Sequence, residues 1–292
     1  MSADADTSPF SLVRRDLRLG SLLAAAGKLH REGIEQVLKL QQERGLRFGE
    51  AALRLHLITP DDLRAALAKQ FDFPYLPTDA DEFGADLAGA RDARHPQAEP
   101  LRSLRTQLLI RWSRLERAPR ALAIVSPGPF EGRSYLAANL AVLFAQLGVR
   151  TLLVDADLRA PRQSEIFNVP DRVGLSAVLS GRASLEGAVP VPAFGSLAVL
   201  PAGARPPNPQ ELLLRRSMLA SFLQMANEEY SVILLDTPAA RENADAQSIA
   251  FSAGSALVVA RANHTRRDHT EGLVRELGEA GALVLGTVLN KF

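Results

Sequence analysis

The stretch from Ala121 to Ala141 reads ALAIVSPGPFEGRSYLAANLA. An apolar run comes first, a loop with glycine and proline follows, and a segment with helical propensity ends the stretch. Further apolar runs lie at 151–155, 197–200, 232–235, 256–260 and 283–289, and most of the gaps are long enough for a helix. Apolar strands that alternate with helices indicate a parallel sheet buried on both faces. We therefore predict an α/β domain over residues 99–292 with a doubly wound, mostly parallel sheet.

The loop after the first apolar run is typical of phosphate-binding turns. A glycine-rich turn between a strand and a helix directs backbone N–H groups and the positive helix end at an anion. The usual pattern is G-x-x-x-x-G-K-[ST]. Gly132 and Ser134 fit it, whereas Arg133 replaces the lysine and Pro127 replaces the first glycine. The predicted nucleotide contacts in this loop are Gly128, Glu131, Gly132, Arg133, Ser134 and Tyr135.

Three aspartates follow two of the predicted strands. Asp155 and Asp157 come at the end of the run TLLVD, and Asp236 comes at the end of VILLD. A single aspartate at such a position is commonly a helix cap or a turn residue. Three carboxylates at strand ends beside a phosphate loop instead favour a Mg²⁺ site.

The front of the chain contains one 24-residue pattern twice. RLGSLLAAAGKLHREGIEQVLKLQ occupies 18–41 and RFGEAALRLHLITPDDLRAALAKQ occupies 47–70. The simplest interpretation is a pair of packed helical hairpins with both leading arginines in solvent. However, an arginine beside a glycine offers a two-pronged donor next to approachable backbone, which suits a phosphate or a guanine edge. Two copies of the pattern suit a ligand with two equivalent halves.

This repeat resembles the MshEN-type domain of some type II secretion and pilus ATPases, where two such motifs, five residues apart, bind cyclic di-GMP. The resemblance implies polar contacts from Arg18, Gly20, Gln41, Arg47, Gly49 and Gln70. It implies apolar packing on the bases by Leu19, Leu23, Leu29, Phe48, Leu53 and Ile58. Ala24, Lys28 and Ala52 stand where the family prefers larger aliphatic residues, and His56 stands where it has glycine.

Residues 99–292 resemble bacterial tyrosine kinases of the Wzc and CapB type, which are relatives of the MinD and ParA ATPases. The resemblance rests on Glu99-x-x-Arg102-x-x-Arg105, LPAGARPPNPQELL at 200–213, Asp236-Thr-Pro followed by Asp245, and Leu289-Asn290.

This resemblance implies that ATP and Mg²⁺ are bound. Mg²⁺ would be held by Ser134, by Asp157 and, through water, by Asp236, and Asn290 would contact adenine. Asp155 would be the base for a tyrosine hydroxyl, with Arg133 at the catalytic lysine position, where the exchange is not conservative. Phe130 stands where kinase relatives have glycine. Glu99, Arg102 and Arg105 would form an oligomerisation motif, although a solvated basic helix face is the simpler alternative.

Taken together, the two parts look like the EpsG-type chain-length-determinant kinase family of exopolysaccharide systems. That resemblance implies a homo-oligomer in the cytoplasm, peripheral to the inner membrane, that works with a Wzz-like polysaccharide co-polymerase. The net charge of +1 argues against a nucleic-acid partner, and no apolar run is long enough for a transmembrane segment. The chain has no cysteine, and its three tyrosines lie outside the C-terminal end, so tail autophosphorylation is not expected.

We predict four segments: a tail at 1–16, the repeat domain at 17–76, a linker at 77–98 and the α/β domain at 99–292. Three functions stay open. The favoured one is an ATP-binding, kinase-like regulator of exopolysaccharide polymerisation or export that responds to cyclic di-GMP. The second is an active tyrosine kinase acting on a partner protein. The third is a MinD- or ParA-like positioning ATPase, against which the Glu-x-x-Arg-x-x-Arg and Pro-Pro-Asn-Pro motifs argue.

Overall fold

The computed structural model describes residues 18–71, 83, 86–87, 95–113, 121–214 and 218–291. The chain divides into two compact units, Met1–Pro77 and Thr78–Phe292, called the first and second unit below. The predicted tail and most of the predicted linker lie outside the described residues. Among the helices of the described part, none has the length and apolar character needed to cross a membrane.

The described part of the first unit, residues 18–71, contains four helices. Each repeat contributes a short and a long helix: α1 (Leu19–Ala25) and α2 (Arg31–Arg44), then α3 (Phe48–Arg54) and α4 (Pro60–Gln70). The short helix of one repeat packs on the long helix of the other, α1 on α4 and α2 on α3. The shared core consists of Leu23, Leu29, Val37, Ala51, Ala52, Ile58 and Ala66.

The two repeats fold alike at the level of the backbone. The residues that precede α2 and α4, His30 and Thr59, have φ/ψ of −86°/164° and −86°/163°. The second residue after each short helix has a left-handed backbone conformation, with φ of 68° at Gly27 and 53° at His56. The second repeat therefore keeps a backbone conformation that favours glycine at a position where it has histidine.

The second unit is centred on a seven-stranded sheet. In chain order the strands are β1 (Ala121–Val125), β2 (Thr151–Asp155), β3 (Val189–Pro190), β4 (Leu197–Leu200), β5 (Val232–Asp236), β6 (Ser255–Arg261) and β7 (Leu283–Asn290). Their spatial order is β3-β4-β2-β5-β1-β6-β7, and all neighbours are parallel except β3 with β4. The predicted doubly wound parallel sheet is thus confirmed. The two-residue β3, which contains a proline, was not predicted because it is too short to show a strand pattern.

Helices lie between the strands of the second unit. They are α5 (Ala98–Ser113), α6 (Arg133–Ala145), α7 (Gln163–Phe167), α8 (Leu175–Leu179), α9 (Pro209–Leu213), α10 (Met218–Glu229), α11 (Asp245–Ala253) and α12 (Arg267–Glu279). Helix α6, which follows the predicted phosphate loop, packs on β1, β2 and β5 and beneath α5. It is buried from Leu136 to its end, which fixes the position of the loop above it.

The described residues of the predicted linker pack on the second unit. The Phe83 and Phe194 rings lie 5.7 Å apart between centroids, and Leu87 is fully buried. The carbonyl of Asp86 accepts a hydrogen bond of 2.7 Å from Asn139 Nδ2 of α6. The packed structure of the second unit therefore extends before residue 99, which the composition of this segment does not indicate.

Candidate functional site

The loop from Ser126 to Gly132 joins β1 to α6. Two of its residues have left-handed backbone, Phe130 with φ 57° and Gly132 with φ 95°. Gly132 is the N-cap of α6, and no side chain caps the first N–H groups of this helix. Uncapped N–H groups at the positive end of a 13-residue buried helix form a site that favours an anion.

Arg133 is folded over this loop. Its Nε donates to the Thr237 carbonyl at 2.7 Å, and its Nη1 donates to the Gly128 carbonyl at 2.7 Å and to Ser126 Oγ. The guanidinium therefore connects the loop to the end of β5. A lysine ammonium could not bond several acceptors spread over such a fork.

Glu131 stabilises the loop through hydrogen bonds to its buried side chain. Its side chain is buried, and Oε2 accepts from the Gly128 N–H at 2.9 Å while Oε1 accepts from Thr265 Oγ1 at 2.5 Å. Its carbonyl accepts from Asn290 Nδ2 at 3.3 Å. Both carboxylate oxygens of this predicted nucleotide contact thus already bond to the protein.

Asp155 and Asp236 lie side by side beneath the loop. They are register partners on β2 and β5, and both are fully buried. Asp155 Oδ2 accepts from the N–H groups of Arg162 (2.9 Å) and Gln163 (2.8 Å), and Asp236 Oδ2 accepts from Gln163 Nε2 (2.8 Å). The Oδ1 atom of each aspartate is buried, and it has no hydrogen-bond partner among the residues that the structure describes.

Burial changes the pKa of both of these carboxyl groups in the same direction. It raises the pKa of Asp155 well above its ordinary value, and repulsion from Asp236 adds to this rise. It raises the pKa of Asp236 to about 6, although hydrogen bonds from the side chains of Gln163 and Ser134 act in the opposite sense. A cation next to the two unpartnered oxygens would reverse the penalty for ionisation.

Asp157 lies closer to solvent than the other two aspartates. Its Oδ1 accepts from the N–H groups of Arg159 (3.1 Å) and Ala160 (2.9 Å), as a turn-forming aspartate does. It also borders a cavity of about 410 Å³ above the loop. Of the predicted site residues, this cavity is lined by Gly132, Arg133, Ser134, Tyr135 and Asp157, and not by Asp155 or Asp236.

A second cavity of about 510 Å³ lies between α5, the start of α6 and the end of β7. Asn290 lines it, and Tyr135 lines both cavities. The Tyr135 hydroxyl donates to Gln97 Oε1 at 2.6 Å, just before α5 begins. The structure therefore brings the predicted phosphate and adenine contacts to two neighbouring cavities, whereas Gly128 and Glu131 line neither.

Two further residues were missed by sequence reasoning. Arg159 lines the first cavity and forms a salt bridge of 2.7 Å with the buried Asp245 at the start of α11. Gln163 is fully buried and bonds to Asp236 and to the Ser134 carbonyl. Its spacing from the buried Ile166 and Phe167, i+3 and i+4, could have indicated that it faces inwards.

The predicted oligomerisation motif makes contacts within the chain. Arg102 Nε donates to Glu99 Oε2 at 3.0 Å, one helical turn away. Arg105 Nη1 donates to the Leu143 carbonyl at 3.0 Å, near the end of α6, and burial lowers the pKa of Arg105. The Arg105 hydrogen bond attaches α5 to α6, and the oligomerisation role stays a prediction.

In the first unit, Arg18 and Arg47 occupy equivalent exposed positions directly before α1 and α3. Gln41 lies in the last turns of α2, and Gln70 ends α4. The remaining predicted contacts divide by exposure. Leu23, Leu29 and Ile58 are buried in the core, whereas Leu19, Phe48 and Leu53 pack against it and are partly exposed.

Packing accounts for the two glycines of the repeat. A Cβ atom on Gly20 would lie 3.1 Å from Cζ of Phe48, and one on Gly49 would lie 2.7 Å from Cδ1 of Leu63. A larger residue at either position would have to displace the facing side chain, so close helix packing favours glycine whether or not a ligand binds there.

Together, the sheet order, the loop between β1 and α6, and the aspartates at the ends of β2 and β5 define an α/β domain of the P-loop NTPase class. No protein-family profile matches the chain. It is 34% identical over 194 residues to a putative tyrosine-protein kinase CapB of Staphylococcus aureus, covering 66% of this chain and 84% of that protein. This chain belongs to the family of bacterial tyrosine-protein kinases.

Solved structures agree with this assignment. The kinase domain of the Escherichia coli tyrosine kinase ETK is similar with a TM-score of 0.67 and 29% identity, over 72% of this chain and 81% of that one. The septum site-determining protein MinD of Pyrococcus horikoshii, complexed with Mg-ADP, is similar with a TM-score of 0.51 and 29% identity, over 59% of this chain and 70% of that one.

Proposed function

We propose that the second unit binds ATP with Mg²⁺ and transfers the terminal phosphate to a tyrosine of a partner protein. The observation that carries this proposal is the pair of unpartnered, buried Oδ1 atoms of Asp155 and Asp236 beside the uncapped N-terminus of α6. Buried carboxylate oxygens without partners are costly unless a cation or a proton joins them. The Mg-ADP bound by the related MinD supports the same ligand class.

The donor set fits Mg²⁺ in a nucleotide site. Within the described residues, no three His, Asp or Glu side chains are grouped so that they hold an ion by themselves. Mg²⁺ commonly takes only one or two protein carboxylates and completes its shell with water and phosphate oxygens. Ser134, Asp157 and, through water, Asp236 would be its protein partners here, and the ion would neutralise charge on the phosphates.

In the proposed transfer, the tyrosine oxygen attacks the γ-phosphorus, the hydroxyl proton passes to a carboxylate, and ADP leaves. Asp155 has the raised pKa that suits a base, but it does not line the cavity. Asp157 lines the cavity, as do Asp86 and Glu242, and is the predicted site carboxylate that an entering hydroxyl would meet. Single-turnover transfer by Asp155→Asn and by Asp157→Asn, each measured beside its ATP affinity with and without Mg²⁺, separates loss of the base from loss of a Mg²⁺ partner.

The first experiment is calorimetric titration with ATP and Mg²⁺, followed by transfer of labelled phosphate to a tyrosine-containing peptide. We expect wild-type protein to bind ATP and Arg133→Lys to transfer phosphate faster, because a lysine ammonium can leave the loop carbonyls and reach the phosphates. Absence of ATP binding by folded protein would overturn the nucleotide site. Binding without transfer in either protein would overturn the kinase activity and leave a regulatory nucleotide-binding role.

We also propose that the first unit binds cyclic di-GMP. The support is the equivalence of Arg18 and Arg47, which precede corresponding helices in the two repeats and are both exposed. A guanidinium offers two parallel N–H donors, which suit a phosphate or a guanine edge. Leu19, Phe48 and Leu53 are the partly exposed apolar residues that would pack on the bases.

This second proposal is tested by titration with cyclic di-GMP. We expect binding by wild-type protein and its loss in Arg18→Ala/Arg47→Ala. The matched control is Arg31→Ala, which removes an arginine whose side chain is 95% exposed on α2 of the same unit and should leave binding unchanged. No binding by folded wild-type protein would make the repeat a structural or docking domain.

At the level of the cell, we propose that the protein regulates exopolysaccharide polymerisation or export as a homo-oligomer. It would act at the cytoplasmic side of the inner membrane through a Wzz-like co-polymerase. Co-purification with such a co-polymerase, and altered polysaccharide chain length in Arg18→Ala/Arg47→Ala cells, are the expected results. ATP-dependent association of the isolated protein with membranes or DNA would favour a positioning ATPase instead.

A further inference from the structure

Gln163 is a buried polar residue that bonds to three parts of the candidate site. It is the first residue of α7, and its exposed fraction is zero. Its backbone N–H donates to Asp155 Oδ2 at 2.8 Å. Its side-chain Nε2 donates to Asp236 Oδ2 at 2.8 Å and to the Ser134 carbonyl at 3.2 Å. One residue thus links the ends of β2 and β5 to the first turn of α6.

These bonds determine how the two aspartates present their other oxygens. The two oxygens of a carboxylate are fixed relative to each other, so a bond to Oδ2 orients Oδ1 as well. Gln163 bonds Oδ2 in both aspartates, and Oδ1 is the atom without a partner in both. Because the same amide bonds the Ser134 carbonyl, it also fixes the position of that residue relative to Asp236.

A neutral amide suits this position for an electrostatic reason. Asp155 and Asp236 repel each other when both are ionised, and burial strengthens this repulsion. Two N–H donors from one neutral residue stabilise both carboxylates without adding a charge. Arginine or lysine here would place a fixed positive charge next to the proposed Mg²⁺ position.

We propose that Gln163 is the positioning residue for the Mg²⁺ part of the nucleotide site. This inference rests on the proposed binding of ATP with Mg²⁺. Gln163 does not line the cavity and would touch neither ligand. It acts through Asp236 and Ser134, which it holds in the arrangement that accepts the ion. These two side chains therefore need less rearrangement when Mg²⁺ binds.

The test compares ATP binding in Mg²⁺ with ATP binding in EDTA. Gln163→Leu removes both side-chain donors at similar volume, and Gln163→Glu keeps the shape but loses the donor. The matched control is Gln146→Leu, at the other end of α6, where the glutamine is also buried. Trp112, the single tryptophan, is buried in the second unit, and its fluorescence verifies that each variant is folded.

We expect the Mg²⁺-dependent gain in ATP affinity to fall about tenfold or more in both Gln163 variants, as for other residues that orient metal ligands. Affinity in EDTA should stay unchanged, and Gln146→Leu should behave as wild type in both buffers. An equal loss in both buffers would show a general packing role and overturn the proposal, as would no loss at all. If wild-type protein does not bind ATP, the proposed function fails and this inference fails with it.

Discussion

Replacing Asp236 with asparagine should remove a loss of stability that the ligand-free protein undergoes as the pH rises. The folded-state pKa of about 6 exceeds the ordinary 3.8, so the folded protein keeps a proton that the unfolded chain loses between these values. Stability therefore falls as pH rises through this window, and the loss is complete above about pH 6. A rise from 3.8 to about 6 corresponds to about 3 kcal/mol in the free energy of unfolding.

Asparagine has nearly the same shape and no charge, so Asp236→Asn removes this pH-dependent loss. Its amide places a buried N–H donor where Oδ1 was, which costs about 1–3 kcal/mol at every pH if it finds no acceptor. The informative quantity is therefore the change with pH. Relative to wild type, the variant should gain about 2 kcal/mol between pH 4 and pH 8 in EDTA, because part of the loss in wild type already occurs below pH 4.

Urea unfolding followed by Trp112 fluorescence measures this quantity. Trp112 is buried in the second unit with its ring centroid 5.8 Å from that of Phe144, so it reports on the unit that contains Asp236. The control is Asp268→Asn on exposed α12, where hydrogen bonding to Arg266 lowers the pKa to about 2. Its effect on stability should have the opposite sign and be small, because solvent screens an exposed pair.

A difference between Asp236→Asn and wild type that is the same at pH 4 and pH 8 would refute this reasoning. It would mean that Asp236 is not penalised for ionising, so its unpartnered Oδ1 would no longer argue for a cation. With ATP and Mg²⁺ present, the comparison of stability between the variant and wild type should shift in favour of wild type. Ligand binding stabilises only a protein that keeps the site, so wild type should gain stability and the variant should gain less.

Three further predictions test the local structure. Phe130→Gly should raise the stability of the second unit by about 0.5–1 kcal/mol in urea unfolding, because it relieves a left-handed backbone and loses a ring that is 79% exposed; a loss of stability would mean that the ring packs in solution. By calorimetry, His56→Gly should stabilise the first unit by a similar amount, and Gly27→Ala should destabilise it by about 1 kcal/mol, because both positions have positive φ. Equal changes in stability for the two variants would contradict this preference for glycine. Glu131→Gln should weaken ATP binding about tenfold, since one amide oxygen cannot accept from both donors; Thr265→Ser, which keeps the hydroxyl, is the control and should bind as wild type.

The central part of the site could be predicted because strand ends meet in a parallel sheet. Apolar runs located β2 and β5, and an aspartate at the end of each placed both at one edge of the sheet. The structure makes them register partners. Sequence could not show that Arg133 bonds the Thr237 carbonyl, 104 residues away, because that contact depends on how the loop and β5 are juxtaposed.

Other features were not predictable because different roles give the same residue pattern. Leu23, Leu29 and Ile58 are apolar whether they form the core or contact a ligand base, and the structure places them in the core. Glu131 lies within a phosphate loop, so a nucleotide contact was the natural prediction, yet its carboxylate is used by Gly128 and Thr265. Only tertiary contacts distinguish these cases.

The arginines of the repeat are harder to explain by structure than its glycines. Close packing accounts for Gly20 and Gly49 without any ligand. Arg18 and Arg47, in contrast, occupy N-cap positions, where residues with a side-chain acceptor stabilise a helix and arginine has none to offer. A positive charge is also unfavourable at the positive end of a helix. Arginine at both positions therefore works against helix stability, and the anionic ligand with two equivalent halves that we propose would offset this cost when bound.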